Sequence, residues 1–495
     1  LNRFLGLPIF LFVMYLMFLL AINIGGALQP LFDVGSVALF VHGIQWIGYT
    51  LHFPDWLTIF LAQGLGGGIN TVLPLVPQIG MMYLFLSFLE DSGYMARAAF
   101  VMDRLMQALG LPGKSFVPLI VGFGCNVPSV MGARTLDAPR ERLMTIMMAP
   151  FMSCGARLAI FAVFAAAFFG QNGALAVFSL YMLGIVMAVL TGLMLKYTIM
   201  RGEATPFVME LPVYHVPHVK SLIIQTWQRL KGFVLRAGKV IIIVSIFLSA
   251  FNSFSLSGKI VDNINDSALA SVSRVITPVF KPIGVHEDNW QATVGLFTGA
   301  MAKEVVVGTL NTLYTAENIQ DEEFNPAEFN LGEELFSAID ETWQSLKDTF
   351  SLSVLMNPIE ASKGDGEMGT GAMGVMDQKF GSAAAAYSYL IFVLLYVPCI
   401  SVMGAIARES SRGWMGFSIL WGLNIAYSLA TLFYQVASYS QHPTYSLVCI
   451  LAVILFNIVV IGLLRRARSR VDIELLATRK SVSSCCAAST TGDCH

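Results

Sequence analysis

The chain has 495 residues, of which 56 % are hydrophobic and only 13 % are charged, against about 25 % charged residues in a soluble domain. This composition excludes an ordinary soluble enzyme or binding domain. The formal net charge of −2 says little in itself, and we expect no nucleic-acid partner. Several apolar runs reach the roughly 18 residues that cross the hydrocarbon core of a bilayer. The sequence therefore predicts an all-α, polytopic membrane protein in contact with membrane lipid.

The candidate spans, in chain order, are 4–24, 70–90, 141–169, 174–198, 234–256, 290–312, 384–407, 414–436 and 445–465. One of them, 290–312, carries Lys303 and Glu304 at its centre, where charge at bilayer depth is unfavourable. We therefore predict that 290–312 is a re-entrant or broken helix, as is the segment 92–132, which prolines and glycines interrupt. About eight transmembrane helices and two re-entrant, broken-helix gate repeats result.

The same features divide the chain into six regions. We predict a first span with an external interfacial loop at 1–69, a first gate repeat with core spans at 70–200, a cytoplasmic loop and the start of the second gate repeat at 201–315, an acidic soluble insert at 316–382, the end of the second gate repeat with the last spans at 383–466, and a cytoplasmic tail containing cysteines at 467–495.

Basic residues indicate the sidedness of this arrangement. They are concentrated in the segments 196–239 and 465–480, and the positive-inside rule places such segments in the cytoplasm. Residues 316–378 instead contain fourteen acidic residues against two lysines, Lys347 and Lys363. We expect this acidic insert on the external side and both termini in the cytoplasm.

A duplicated motif is the most informative feature for function. The pentapeptide Ser-Val-Met-Gly-Ala occurs at 129–133 and again at 401–405, with a proline and a cysteine shortly before each copy. A second shared element precedes it in the same order, at Gly93–Arg97 and at Gly299–Lys303. Repeated units broken by glycine and proline are typical of transporters with internal symmetry, in which the broken segments surround the substrate path.

Three cysteines lie at these breaks. Cys125, Cys154 and Cys399 each stand beside proline or glycine, and Met131 and Met403 are the methionines of the two repeats. Thiolate and thioether are soft ligands that suit transition metals, whereas carboxylates such as Glu304 add harder oxygen donors. One interpretation is that these six residues mark a metal path. The other is that cysteine and methionine are apolar filling residues in membrane helices.

Ionisable residues at the edges of apolar segments form a second group of candidates. Such residues indicate a pathway or a gate, and we assign this role to Glu90, Asp91, Arg97, Arg157 and Lys303. A different interpretation applies to Arg134, Arg408 and Glu409, which we expect to be interfacial residues whose side chains extend toward water.

The segments Gly122–Leu136 and Pro150–Leu158 resemble the membrane domain of the ferrous-iron transporter FeoB family, as do Phe88–Arg97 and Gly299–Val307. The resemblance extends over essentially the whole chain. It implies uptake of Fe(II) through the bacterial inner membrane, and it implies that the cysteines matching Cys125, Cys154 and Cys399 line the iron path.

The same resemblance implies further partners. In this family GTP and Mg²⁺ act through an N-terminal GTPase domain whose phosphate loop is absent here, so we expect a permease portion without enzymatic activity of its own. The resemblance also allows small cytoplasmic accessory proteins and a homo-oligomer.

Two functions from different classes of substrate remain open at this point. The first is a metal permease for Fe(II), which passes Cys, Met and carboxylate sites between two pseudo-symmetric gates. The alternative is a transporter of an organic solute such as a nucleoside, which uses the same gate architecture.

Overall fold

The architecture is taken from a computed structural model of the chain. It describes residues 6–54, 57–58, 60–200, 214–239, 242–243, 245–247, 251, 267–301, 303, 305–315, 331–349, 370–440 and 442–488. Within these ranges the regular secondary structure consists of helices alone, with no strand, which confirms the predicted all-α class.

In the first half of the chain, the α-helices are Gly6–Ala27, Gln29–Ser36, Gly43–Thr50, Gly67–Val72, Leu75–Asp91, Tyr94–Leu109, Phe116–Val121, Asn126–Gly132, Pro139–Met148, Gly155–Phe168, Gly173–Thr198 and Val219–Phe233. In the second half they are Ala268–Ile276, Trp290–Met301, Val305–Thr315, Leu331–Thr349, Thr370–Phe380, Ala383–Leu395, Ile400–Glu409, Arg412–Ala437 and Pro443–Ala488. Wider helical turns at Val37–His42, Phe60–Gly66 and Val234–Gly238 join several of them.

Seven stretches in the described part of the chain are long and apolar enough to cross a membrane. They are Phe12–Thr50, Phe60–Asp91, Pro139–Phe168, Gly173–Thr198, Ala383–Glu409, Arg412–Ala437 and Pro443–Arg466. The chain is thus a multi-pass helical membrane protein. The sequence predicted about eight spans, and the missing candidate, 234–256, lies only in part within the described residues.

The predicted break at 290–312 is present in the structure. One helix ends at Met301 and the next begins at Val305, with Lys303 in the turn between them. Two of the membrane-spanning stretches are broken as well. Pro139–Phe168 is interrupted by a turn at Ala149–Phe151, and Ala383–Glu409 is interrupted after Leu395.

Small residues bring the helices of the core close together, as is common in membrane bundles. In the helix Gly173–Thr198, a Cβ added at Gly184 would lie 2.8 Å from the carbonyl oxygen of Phe151. A Cβ added at Gly192 would lie 2.7 Å from the sulfur of Met148. Glycine is therefore what allows this helix to pack against the broken segment that precedes Cys154.

The two halves of the chain share one core. The Phe164 ring, from the first half, stacks on Tyr389 with ring centroids 5.4 Å apart. Tyr389 is fully buried, and its hydroxyl donates to the carbonyl oxygen of Ala292 at 3.0 Å. The helices Asn126–Gly132 and Ile400–Glu409, which carry the two copies of the repeated pentapeptide, pack against each other.

The external interfacial loop predicted within the region 1–69 consists mainly of helix in its described residues after Ala27. The described residues there form the helices Gln29–Ser36 and Gly43–Thr50 with wider helical turns around them. This stretch is apolar and almost free of charge, so the backbone satisfies its hydrogen bonds internally as helix. Glycines 64 and 66–68 resemble a loop in sequence, yet they lie within helical turns.

The predicted acidic insert contains two helices among its described residues, Leu331–Thr349 and Thr370–Phe380. The helix Leu331–Thr349 packs against Gln29–Ser36 and Gly6–Ala27. Glu334 of this helix accepts from His42 Nδ1, with the nitrogen 2.9 Å from Oε2. The insert is thus anchored on the N-terminal helices, while 316–330 and 350–369 lie outside the described residues.

Candidate functional site

Cys125, Cys154 and Cys399 occupy equivalent positions in three helices. Each is the last residue before a helix starts, and its backbone is extended, with ψ of 133°, 164° and 156° respectively. The helices that follow are Asn126–Gly132, Gly155–Phe168 and Ile400–Glu409. The break in each apolar segment thus places a thiol where the chain turns from irregular backbone into helix.

The three cysteines line one cavity of about 80 Å³, and each of them is partly buried. Gln78, Asn126 and Lys303 supply polar side chains to the same wall. The volume accommodates a metal ion with a few water molecules. Because the lining comes from both gate repeats, the cavity lies where the two halves of the chain meet.

Two hydrogen bonds hold the Cys125 and Cys154 turns together. The backbone N–H of Gly155 donates to the carbonyl oxygen of Gly124 at 3.2 Å. The Asn126 amide nitrogen donates to the carbonyl oxygen of Met152 at 3.3 Å, and Asn126 is 4 % exposed. These bonds satisfy carbonyl groups that the broken helix would otherwise leave without partners inside an apolar core.

Arg157 stabilises the turn that precedes Cys154. Its side chain is completely buried. Nη1 donates to the carbonyl oxygens of Pro150 at 3.2 Å and of Met152 at 3.0 Å, and Nη2 donates to Pro150 at 3.2 Å. Arg157 is not among the residues lining the cavity. Its planar fork holds the backbone that carries Cys154, which makes it a brace for this turn.

Lys303 introduces a cation into the cavity wall. It is 3 % exposed and lies in the turn between the helices Trp290–Met301 and Val305–Thr315. Its ammonium lies 5.1 Å from the centre of the Tyr396 ring, within the range of a cation–π interaction. Lys303, which the sequence predicted as a gating residue, therefore lies at the cavity that the cysteines line.

An ion-pair cluster that the sequence did not predict joins the ends of the two repeats. The Glu409 side chain is 3 % exposed and accepts from Arg134, with Nε 2.6 Å from Oε2 and a second bond from Nη2 to Oε1. Arg142 donates to the same carboxylate at 3.1 Å and to the carbonyl oxygen of Glu409 at 2.8 Å. The hydrogen bond with Glu409 raises the pKa of Arg134.

The expectation that Arg134 and Glu409 are interfacial residues with solvated charges is thus wrong for Glu409. Its carboxylate is buried because two guanidinium groups neutralise it. The only sequence signal was position, since Arg134 and Glu409 each follow a copy of the repeated pentapeptide within a few residues.

The other predicted gating residues lie away from the cavity. Glu90 pairs with Arg229 at 2.8 Å, and Asp91 accepts from Gln225 at 3.3 Å. Arg97 donates to the carbonyl oxygen of Gly93 at 3.2 Å, and its guanidinium lies 3.4 Å from the centre of the Tyr214 ring. These contacts attach the segment around the helix Val219–Phe233 to the bundle.

Of the remaining predicted metal-path residues, Met131 and Met403 are partly buried on their helices and are not among the described residues that line the cavity. Glu304 lies outside the described residues. Across the described part of the chain, no three His, Cys, Asp or Glu side chains are grouped closely enough to hold one metal ion. The three thiols therefore surround the cavity without forming a closed chelate.

Two known families match the chain. The family described as "Nucleoside recognition" (Gate) matches residues 72–168 and 234–412, which include both copies of the repeated pentapeptide. The family described as "Ferrous iron transport protein B C terminus" matches residues 177–229.

Individual relatives are similar over nearly all of the chain. A protein of Shigella flexneri named "Fe(2+) transporter FeoB" is 99 % identical over 100 % of this chain and 64 % of its own length. A protein of that name from Salmonella typhimurium is 94 % identical over 100 % of this chain and 64 % of its own length. Another of that name, from Legionella pneumophila, is 50 % identical over 94 % of this chain and 62 % of its own length. The chain thus spans less than two thirds of these relatives. No solved structure matches it.

Proposed function

The chain belongs to the FeoB family of ferrous-iron transporters, and we propose that it forms a membrane permease through which Fe(II) passes the cavity lined by Cys125, Cys154 and Cys399. The observation that carries this proposal is that cysteines from both gate repeats line one cavity. Cysteines that only fill space in apolar helices would not be expected to line the same cavity.

The chemistry of the lining suits a transition-metal ion in transit. Sulfur binds Fe(II) more strongly than it binds Mg²⁺ or Ca²⁺, and the side-chain carbonyl of Asn126 adds an oxygen donor. An ion that crosses must bind well enough to lose water and weakly enough to leave. Thiols that line the cavity without a closed chelate among the described residues are compatible with this requirement.

The size of the cavity argues against an organic solute. Pockets for small organic molecules are usually of ~300–1,000 Å³, whereas this cavity has about 80 Å³. A nucleoside would require the two repeats to separate substantially, and the sulfur atoms would offer it little. The family name "Nucleoside recognition" therefore describes the shared gate architecture better than the cargo of this chain.

Orientation and energy supply complete the proposal. We infer from the basic segments 196–239 and 465–480 that both termini lie in the cytoplasm, and from the family that the membrane is the bacterial inner membrane. Family membership suggests that GTP, bound by a separate N-terminal GTPase domain, drives or gates the transport. The contacts of Glu90, Asp91 and Arg97 with residues 214–229 connect the helix that ends at Asp91 to the predicted cytoplasmic loop, and we propose that such a domain acts through this loop.

Uptake of radioactive Fe(II) into proteoliposomes, with and without an added GTPase domain, tests the proposal. We expect Cys125→Ser, Cys154→Ser and Cys399→Ser each to lower uptake at least tenfold, since the hydroxyl is a poor ligand for this ion. Cys449→Ser is the matched control, because Cys449 is partly buried on the last helix and does not line the cavity. Equal uptake by all four variants would refute the metal path.

A further inference from the structure

Two short helices, one from each gate repeat, lie between the cavity and the ion-pair cluster. They are Asn126–Gly132 and Ile400–Glu409, which we call the gate helices, and they pack against each other. Cys125 and Cys399 precede their first residues, and both cysteines line the cavity. At the other end, the second gate helix closes with Glu409, and the arginine that pairs with Glu409 follows the first gate helix by two residues. The cavity and the ion pair are therefore at opposite ends of one helix pair.

Aliphatic side chains fill the length of the gate helices between these two ends. Val130 of the first helix and Val402 and Ile406 of the second are at most 1 % exposed, and all three belong to one hydrophobic cluster. These side chains offer no ligand to an ion that leaves the cavity, and unpaired charge in an apolar core is unfavourable. Hydrophobic constrictions close ion pathways for this reason. The gate helices must therefore separate before an ion passes between them.

The ion-pair cluster ties the gate helices together at the end away from the cavity. The Glu409 carboxylate accepts from both Nε and Nη2 of Arg134, and bidentate charged pairs are among the stronger hydrogen bonds. Arg142, from the helix Pro139–Met148, donates to the same carboxylate at 3.1 Å. The Glu409 side chain is 3 % exposed, whereas Arg134 is 51 % exposed. Water can therefore solvate the Arg134 charge when the pair breaks, which makes the contact reversible.

We propose that the ion pair of Arg134 with Glu409 is a latch, which holds the gate helices together and closes the cavity on their side. When the pair breaks, the gate helices separate and the ion leaves the cavity between them. This inference rests on the proposed metal path and adds the step that controls release. In the proposed topology this end faces the cytoplasm, since Arg408 and Arg412 lie beside it in the chain and basic residues accumulate on that side. The latch therefore controls release into the cytoplasm.

Labelling of the purified chain with a polar maleimide, in detergent micelles and without metal, tests the latch. Mass spectrometry of the labelled peptides reports how fast the reagent reaches Cys125 and Cys399. Arg134→Gln removes the charge, and we expect both cysteines to react about fivefold faster or more, the shift that loss of a partly exposed charged pair produces. Arg134→Lys keeps a charge at this position, and we expect its rates to stay within about threefold of the wild type.

Arg408→Gln is the matched control, because this exposed arginine is the neighbour of Glu409, and we expect wild-type labelling rates. Cys449, partly buried on the last helix, is the internal control, and its rate should stay the same in every variant. Equal rates in Arg134→Gln and Arg408→Gln would overturn the latch. An increase at Cys449 as large as that at Cys399 would also overturn it, because the whole bundle would then have loosened. If Arg134→Gln does not fold, Glu409→Gln is expected to accelerate labelling equally, and its failure to do so is as decisive.

Uptake of Fe(II) into proteoliposomes without a GTPase domain separates this inference from the proposed function. We expect Arg134→Gln to take up Fe(II) at least about threefold faster than the wild type, and faster labelling without faster uptake would overturn the control of release. If Cys154→Ser leaves uptake unchanged both with and without Arg134→Gln, the sulfur path itself fails, whereas faster labelling still supports separation of the gate helices. If Cys154→Ser lowers uptake and Arg134→Gln changes neither labelling nor uptake, only the latch fails.

Discussion

The ion pair between Arg134 and Glu409 links residues that are 275 positions apart in sequence, and its removal should be measurable in stability. Glu409 is the buried member, with a side chain 3 % exposed, whereas Arg134 is 51 % exposed. A hydrogen bond to a charged group contributes ~1.5–3 kcal/mol. Solvent screening at Arg134 reduces this contribution, and we expect a coupling of about 1–2 kcal/mol between the two side chains.

Glu409→Ala should lower the free energy of unfolding by more than the coupling alone, by about 2–4 kcal/mol, because it also removes the bond to Arg142. A double-mutant cycle of Arg134→Ala and Glu409→Ala, measured by denaturant unfolding in detergent micelles, isolates the pairwise part. Arg408→Ala is the control, because this neighbouring side chain is exposed, and it should change stability by at most ~0.5 kcal/mol.

A coupling below ~0.3 kcal/mol would refute the reasoning, since the cluster would then be a surface contact of the kind that contributes nothing measurable. The same conclusion would follow if Arg408→Ala destabilised the chain as much as Arg134→Ala does.

Two further predictions concern the turn that carries Cys154. Arg157→Lys loses the planar guanidinium that holds two carbonyl groups, and it should lower the free energy of unfolding by about 2–3 kcal/mol. We also expect a maleimide to alkylate Cys154 faster in this variant. An unchanged alkylation rate would contradict the bracing role. Gly184→Ala places a methyl group 2.8 Å from the Phe151 carbonyl oxygen and should lower the free energy of unfolding by ~1–3 kcal/mol. Gly404→Ala, with no atom within 4 Å of the new Cβ, should raise it by up to ~1 kcal/mol. Effects of the same sign in unfolding experiments would contradict this packing.

Local sequence was sufficient for features that depend on local properties. Hydropathy identified the membrane-spanning stretches because burial in lipid acts on each segment separately. The charges of Lys303 and Glu304 in an apolar run correctly predicted an interrupted helix. Proline and glycine beside Cys125, Cys154 and Cys399 indicated broken backbone, and all three residues do precede a helix in the structure.

Features that depend on packing between distant segments could not be predicted. Nothing near Glu409 shows that its partners are Arg134 and Arg142, because the choice depends on how the two repeats dock. The bracing role of Arg157 is hidden for the same reason, since its partners are backbone carbonyl groups that a residue sequence does not display. The segment after the first span was predicted to be an external loop because it contains no lysine or arginine, yet its described residues are mainly helical.

The central claim is that sulfur atoms of the cavity bind the transported ion. X-ray absorption at the iron edge, recorded on the chain loaded with Fe(II) under anaerobic conditions, tests this most directly. We expect sulfur scatterers at ~2.3 Å from the iron, a typical metal–thiolate distance. They should persist in Cys449→Ser and disappear when Cys125, Cys154 and Cys399 are all replaced by serine. An iron environment of oxygen and nitrogen alone, identical in the wild type and the triple variant, would contradict it.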